Sequence, residues 1–241
     1  MVIIHKVSID TRGIGLMETL WKVVESLIDT RLHTSIHFHE ILHGLRARIR
    51  TGTEIMELKL AQEIARVDHD PLFLVFPDLR KGYNSVYRGR LISILEGNGA
   101  GPHLCELLAM FWVHQKVVPR QNYYHGPDFL ATQGTTQGIL VSLTLFKFVM
   151  NNVIWTWLAV TVEDQRVALD RVGEKVGHFL GVFYANDGMV SSRDSDWLPH
   201  SMNVFIRLAP TVAKSCIITC KPGVLRLGMS EEAKELKCMG V

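Results

Sequence analysis

An α+β fold is predicted for this chain of 241 residues, and three observations predict it. The apolar run Pro71-Leu-Phe-Leu-Val-Phe-Pro77, bounded by prolines, has the length and composition of a buried strand. Two strand-like runs, 179–185 and 189–192, flank Asn186-Asp187-Gly188, residue types that tolerate the positive φ of a tight turn; together they predict a β-hairpin. Residues 138–158 form one long apolar stretch that reads as a helix. An antiparallel hairpin should therefore sit at the centre of the fold, with helices packed to one side of it.

The remaining elements follow in chain order. Leu16, Leu20, Val23, Val24, Leu27 and Ile28 recur at helical spacing and predict a helix over 15–32. Ile55, Leu58, Leu60, Ile64 and Ala65 predict a second over 53–67, with Thr51 or Thr53 as its cap and Glu54 and Glu57 suited to its first turns. Residues 86–97 and 101–115 read as helices, and 120–133 as a polar hairpin or loop region. Another helix is expected over 194–208 and a strand over 215–220.

Hydrophobic residues make up 47% and charged residues 21%, which fits a folded domain and excludes a disordered chain. The net charge of +2 announces no partner. Local clusters are more telling. Arg46, Arg48 and Arg50 form one, and Arg80, Lys81, Arg88 and Arg90 form another, interleaved with Tyr83 and Tyr87. Cations with aromatics between them suit a phosphate backbone and its bases; a solvated basic face is the plainer alternative. Cys105, Cys216, Cys220 and Cys238 are too few and scattered for a disulfide scaffold. His37, His39 and His43 share no single face in either a strand or a helix, so zinc is not expected at either cluster. No basic start followed by an apolar run marks a signal peptide, and an intracellular protein is expected. Residues 139–162 are long enough to span a bilayer, but Lys147, Asn151 and Asn152 fall near the middle, so a buried helix and no membrane partner are expected.

Two carboxylates stand where chemistry can gather. Asp78 directly follows the predicted strand 71–77, and Asp187 lies in the predicted hairpin turn. Strand ends and turns can meet at one sheet edge, and two aspartates so placed suit a pair of magnesium ions in phosphoryl transfer.

The words around these residues carry a resemblance. Phe73-Leu-Val-Phe-Pro-Asp-Leu-Arg-Lys-Gly-Tyr-Asn-Ser-Val86 resembles the first palm motif of non-LTR retrotransposon and group II intron-like reverse transcriptases. Gln133-Gly-Thr-Thr-Gln-Gly-Ile-Leu-Val-Ser-Leu-Thr-Leu-Phe146 resembles the second motif, Tyr184-Ala-Asn-Asp187 the third, and Ala213-Lys-Ser215 the fourth. His43-Gly-Leu-Arg-Ala47 is similar to a fingers motif. The resemblance implies a polymerase palm over 71–241, interrupted by a fingers and helical segment at 86–132, with partial, mostly helical fingers over 1–70 and no thumb. It implies an RNA-directed DNA polymerase, with RNA template, DNA primer and dNTP as partners and two Mg2+ ions, or Mn2+, as cofactors. By that resemblance Asp78 and Asp187 hold the metal, and Lys214 sits by the leaving pyrophosphate. Arg46 reaches the triphosphate, Tyr83 gates the sugar, and Gln137 and Gly138 line the incoming nucleotide.

The sequence departs from the family pattern at several of these positions. Asn186 stands where the third motif has its first aspartate, so the hairpin should form while one metal-balancing charge is lost. Asn84, Gln133, Leu143, Ile49 and Pro77 also depart from the motifs. An impaired, degenerate copy is expected, with a non-catalytic nucleic-acid-binding palm as the alternative. Oligomeric state is not legible.

Overall fold

A computed structural model of the chain describes residues 2–5, 11–15, 19–34, 37–44, 51–69, 71–79, 82–113, 115–121, 124–136, 138–161, 181–185, 187–193, 196–209 and 214–219. In chain order the elements are β1 (Val2–His5), β2 (Thr11–Ile14), α1 (Thr19–Thr34), α2 (Thr51–Val67), β3 (Phe73–Asp78) and α3 (Gly82–Ser85). There follow α4 (Arg88–Gly97), α5 (Pro102–Val113), β4 (Lys116–Val117), β5 (Arg120–Gln121), β6 (Tyr124–His125) and β7 (Phe129–Leu130). The last are α6 (Leu140–Thr161), β8 (Gly181–Tyr184), β9 (Asp187–Ser192), α7 (Trp197–Leu208) and β10 (Lys214–Thr219). They gather into two compact units, 1–38 with 81–149, and 39–80 with 150–241.

The first unit is built on helices. Trp21 of α1 meets Phe111 of α5 edge to face at 4.6 Å, and the Thr144 hydroxyl of α6 donates to Asp29 of α1. Beside the helices lie a four-stranded sheet in the order β2-β1-β5-β6 and the small β4-β7 pair. The strands β1 and β2 are absent from the sequence expectation. Their few residues alternate too weakly to announce them, and their ladder, Val2↔Ile14 to His5↔Thr11, is what holds them.

The second unit holds an antiparallel sheet in the order β10-β3-β9-β8. Its central strands bury side chains on both faces. Val182 and Met189 join Leu72, Leu74, Ala61 and Ala65, which seats α2 on one face. Phe183, next along the strand from Val182, points to the other face. There it stacks on Phe205 of α7 at 5.3 Å and meets Trp157 of α6 edge to face at 6.1 Å. The Trp157 indole N–H donates to Ser201, so this buried polar group is satisfied. The expectation of helices to one side is thus corrected. Apolar residues at successive positions of β8 and β9 require cover on both faces.

The helix α6 is long and apolar enough to cross a bilayer, yet Lys147 and Asn151 are buried and partnered inside the protein. Lys147 lies 4.8 Å from the centre of the Phe38 ring, and Asn151 Oδ1 accepts the His39 backbone N–H at 2.7 Å. Its bounds, Leu140–Thr161, run three residues beyond the predicted end.

Candidate active site

The sheet of the second unit brings the predicted charged residues into one line. Lys214 of β10 pairs with Asp78 of β3, Asp78 pairs with Asp187 of β9, and Asp187 pairs with Tyr184 of β8. Residues directly opposite in antiparallel strands share a face of the sheet, with Cα atoms about 4.5–5.5 Å apart. Asp78 ends its strand while Asp187 and Lys214 begin theirs, so the row crosses the sheet at one end. Asp187 is exposed. Hard oxygen donors on neighbouring strands are the ligand type that magnesium takes. Among the described residues no three His, Cys, Asp or Glu side chains converge on a metal-sized site. Asn186, Gln137 and the whole Arg46–Arg50 cluster lie outside the described residues.

The hairpin turn falls one residue earlier than the sequence predicts. The ladder runs from Gly181↔Val190 to Tyr184↔Asp187, so Asp187 belongs to the strand. Ala185 takes φ 55°, a left-handed conformation that costs a residue with a Cβ about 1–2 kcal/mol. The reason for this register lies one pair further in, where Phe183 faces Gly188. A Cβ on Gly188 would fall 2.6 Å from carbons of the Phe183 ring and 3.1 Å from Pro77 Cγ. Only glycine lets the ring close over the strand. Pro77 itself sits within the ladder: pairing of β3 with β9 runs through Val75↔Val190 and resumes at Asp78↔Asp187 in the same register.

A segment that sequence reasoning treated as fingers also reaches the hairpin. The backbone N–H groups of His43 and Gly44 both donate to the Phe183 carbonyl, at 2.9 and 3.1 Å, and the Phe183 N–H donates to Ile41 O at 2.8 Å. Gly44 passes so close that a Cβ there would lie 2.9 Å from Tyr184 Cα. The glycine was the only local sign of this approach. Behind it, the buried His43 ring faces Glu54 and Glu57 at 3.8 and 3.9 Å. Burial raises the Glu54 pKa above its ordinary value, and the Glu57 charge adds to the effect. His39 instead packs edge to face on Trp155 at 4.7 Å, so His39 and His43 serve different surroundings.

In the first unit, Tyr83 is buried in α3 and stacks on Phe146 at 4.4 Å. The loop before α6 lies against it. Thr135 N–H donates to Tyr83 O at 2.7 Å and Gly134 N–H to Val86 O at 2.8 Å. Gly134, at φ +82°, comes so near Asn84 that a Cβ would meet its Cα at 2.7 Å. Gly138 has φ +90° just ahead of α6, so both glycines of the predicted second motif are needed for their backbone conformation.

Arg88 does not belong to a phosphate-facing patch. It is buried, and its guanidinium donates to Gly134 O at 2.9 Å, to Ala131 O, and to Gln115 Oε1 at 2.6 Å. It also lies 5.4 Å from the Trp112 ring centre. Burial lowers its pKa from the ordinary value. Arg90 and Tyr87, close by in sequence, remain exposed.

A family model described as reverse transcriptase (RNA-dependent DNA polymerase) matches residues 4–210. The chain therefore belongs to the reverse transcriptase family, whose members use divalent metal. Among solved structures it is similar to apo telomerase from Candida tropicalis truncated from its C-terminal domain. The identity is 11% over 84% of this chain and 40% of that one, with a TM-score of 0.55. Candida tropicalis telomerase in complex with a fragment of telomeric RNA matches at 12% identity over 85% of this chain and 34% of that one, TM-score 0.56. Candida albicans telomerase with a fragment of telomeric RNA matches at 11% identity, 83% and 34% coverage, and TM-score 0.52. These likenesses establish the fold, the fingers and palm region of a reverse transcriptase. The chain spans 34–40% of the length of the telomerase chains it resembles. No curated protein matches it in sequence.

Proposed function

We propose that the chain carries the fingers and palm of an RNA-directed DNA polymerase, with its metal-holding edge on the row Lys214–Asp78–Asp187. The observation that carries this reading is the shared register of those three residues. Asp78 and Asp187 hold divalent metal, which when bound neutralises triphosphate charge and activates the primer hydroxyl. Lys214 Nζ gives a proton to the leaving pyrophosphate or balances its charge. Tyr83 discriminates against a 2′-hydroxyl, the Gln137-Gly138 segment lines the nucleotide, and Arg46 grips the triphosphate. RNA template, DNA primer and dNTP are the corresponding partners. The motif words around Asp78 and Gln137 support a non-LTR or group II intron-like lineage.

Asn186 supports a further step: this copy is impaired. It adjoins Asp187 in sequence, and a neutral amide there removes one balancing charge from the metal edge. Primer extension with Mg2+ or Mn2+ tests both statements. Asn186→Asp is expected to raise incorporation about 10²-fold, while Asp78→Asn in that background lowers it by about 10²-fold or more. A reverted protein that binds primer–template yet extends nothing would leave the alternative, a nucleic-acid-binding palm without catalysis, which Asn186 also favours.

A further inference from the structure

We propose that Arg88 is the positioning residue of the sugar gate, holding the 131–136 loop and Tyr83 in one geometry through a cage of backbone carbonyls; the inference rests on the polymerase reading above. The guanidinium is buried, and among the described residues no carboxylate pairs with it. Its donors go instead to Ala131 O and Gly134 O in the loop, to Trp112 O at 3.4 Å, and to Gln115 Oε1. A buried charge is tolerated only when its donors are met, so the loop cannot move away without stranding it.

The hold extends toward the predicted nucleotide side by one further step. Arginine offers only donors, so Gln115 must turn its oxygen to Arg88. That leaves its Nε2 to donate to Thr136 Oγ1 at 3.0 Å. Thr136 directly precedes Gln137. On the other side of the loop, the Thr135 N–H and hydroxyl both reach the Tyr83 carbonyl, at 2.7 and 3.3 Å. One side chain therefore sets the loop, the orientation of an amide and the backbone of the gate residue.

Amide hydrogen exchange and nucleotide selection on the full chain test this. Arg88→Lys keeps the charge and loses the planar fork. It is expected to speed exchange at Gly134 and Thr135 at least tenfold while the amides of β3 and β9 stay within twofold. The preference for a deoxynucleoside over a ribonucleoside triphosphate, read as a ratio of binding constants with Mn2+, should fall about tenfold. A role confined to stability would weaken both nucleotides alike. Gln115→Glu, which still offers Arg88 an acceptor, should leave the Gly134 and Thr135 amides protected. Tyr83→Ala should lose selectivity with those amides still slow. Unchanged exchange in Arg88→Lys, exchange raised equally in β3 and β9, or an unchanged ratio beside faster loop exchange each overturns the proposal. Faster loop exchange in proteins that bind no triphosphate at all would instead refute the polymerase reading and leave Arg88 as the holder of the loop.

Discussion

Asp78, Asp187 and Lys214 reach one line because three strands share a register, whereas the loop from Ala131 to Gly134 is tied by one guanidinium that binds its carbonyls. The first arrangement is made of main-chain ladders and is indifferent to which side chains stand in the row. The second depends on a single residue. A register held by main-chain ladders lets a side chain in the row change while the placement of its neighbours persists. The first unit has no such latitude at Arg88.

The largest effects should fall on the side chains that do the placing. Arg88→Met leaves the Ala131 and Gly134 carbonyls and the Gln115 amide without their donor, and should cost about 3–5 kcal/mol in urea unfolding. Phe183→Ala opens the stack on Phe205 and should cost a similar 3–5 kcal/mol. By contrast, Asp78→Asn and Asp187→Asn in the Asn186→Asp background should reduce primer extension by about 10²-fold or more. Their unfolding free energies should stay within about 0.5 kcal/mol. A large stability loss from either would break the contrast, because it would make the row depend on its side chains.

Smaller effects sharpen it. Gly44→Ala forces a methyl against the Tyr184 backbone and should cost about 1–3 kcal/mol, with the loss seen in hairpin amide exchange. The smallest effect concerns pH. Glu25 of α1 is buried with one carboxylate oxygen unpartnered. Burial raises its pKa above 4.5, partly offset by the Leu140 N–H it accepts and by Lys22. A raised carboxylate binds protons more tightly when folded than when unfolded, so its ionisation weakens the fold as pH climbs from 4.5 through the raised value. Glu25→Gln should flatten that slope and stabilise the protein at neutral pH, as thermal unfolding across pH 4–7 would show.

Much of the second unit was legible beforehand because its signals are local. A proline-bounded apolar run predicts β3, two strand-like runs around Asn186-Asp187-Gly188 predict β8 and β9, and Asp78 and Asp187 stand at their ends. Arg88 was misread because its sequence neighbours, Arg80, Lys81 and Arg90, speak of a charged surface. Its acceptors lie 24 to 46 residues away, and no local pattern reports such a cage. The turn was misplaced for a related reason. Asn-Asp-Gly favours a tight turn by itself, but the space needed by the Phe183 ring decided which residues would form it.

The close packing of Gly188 against Phe183 and Pro77 has an evolutionary consequence. A side chain at 188 would meet the Phe183 ring at 2.6 Å and Pro77 at 3.1 Å, so the ring has to move away while the proline need give only a few tenths of an ångström. Giving up the ring costs about 3–5 kcal/mol. The dependence therefore runs one way: Phe183 and Pro77 can each vary beside a glycine, whereas position 188 can vary only once the ring has gone.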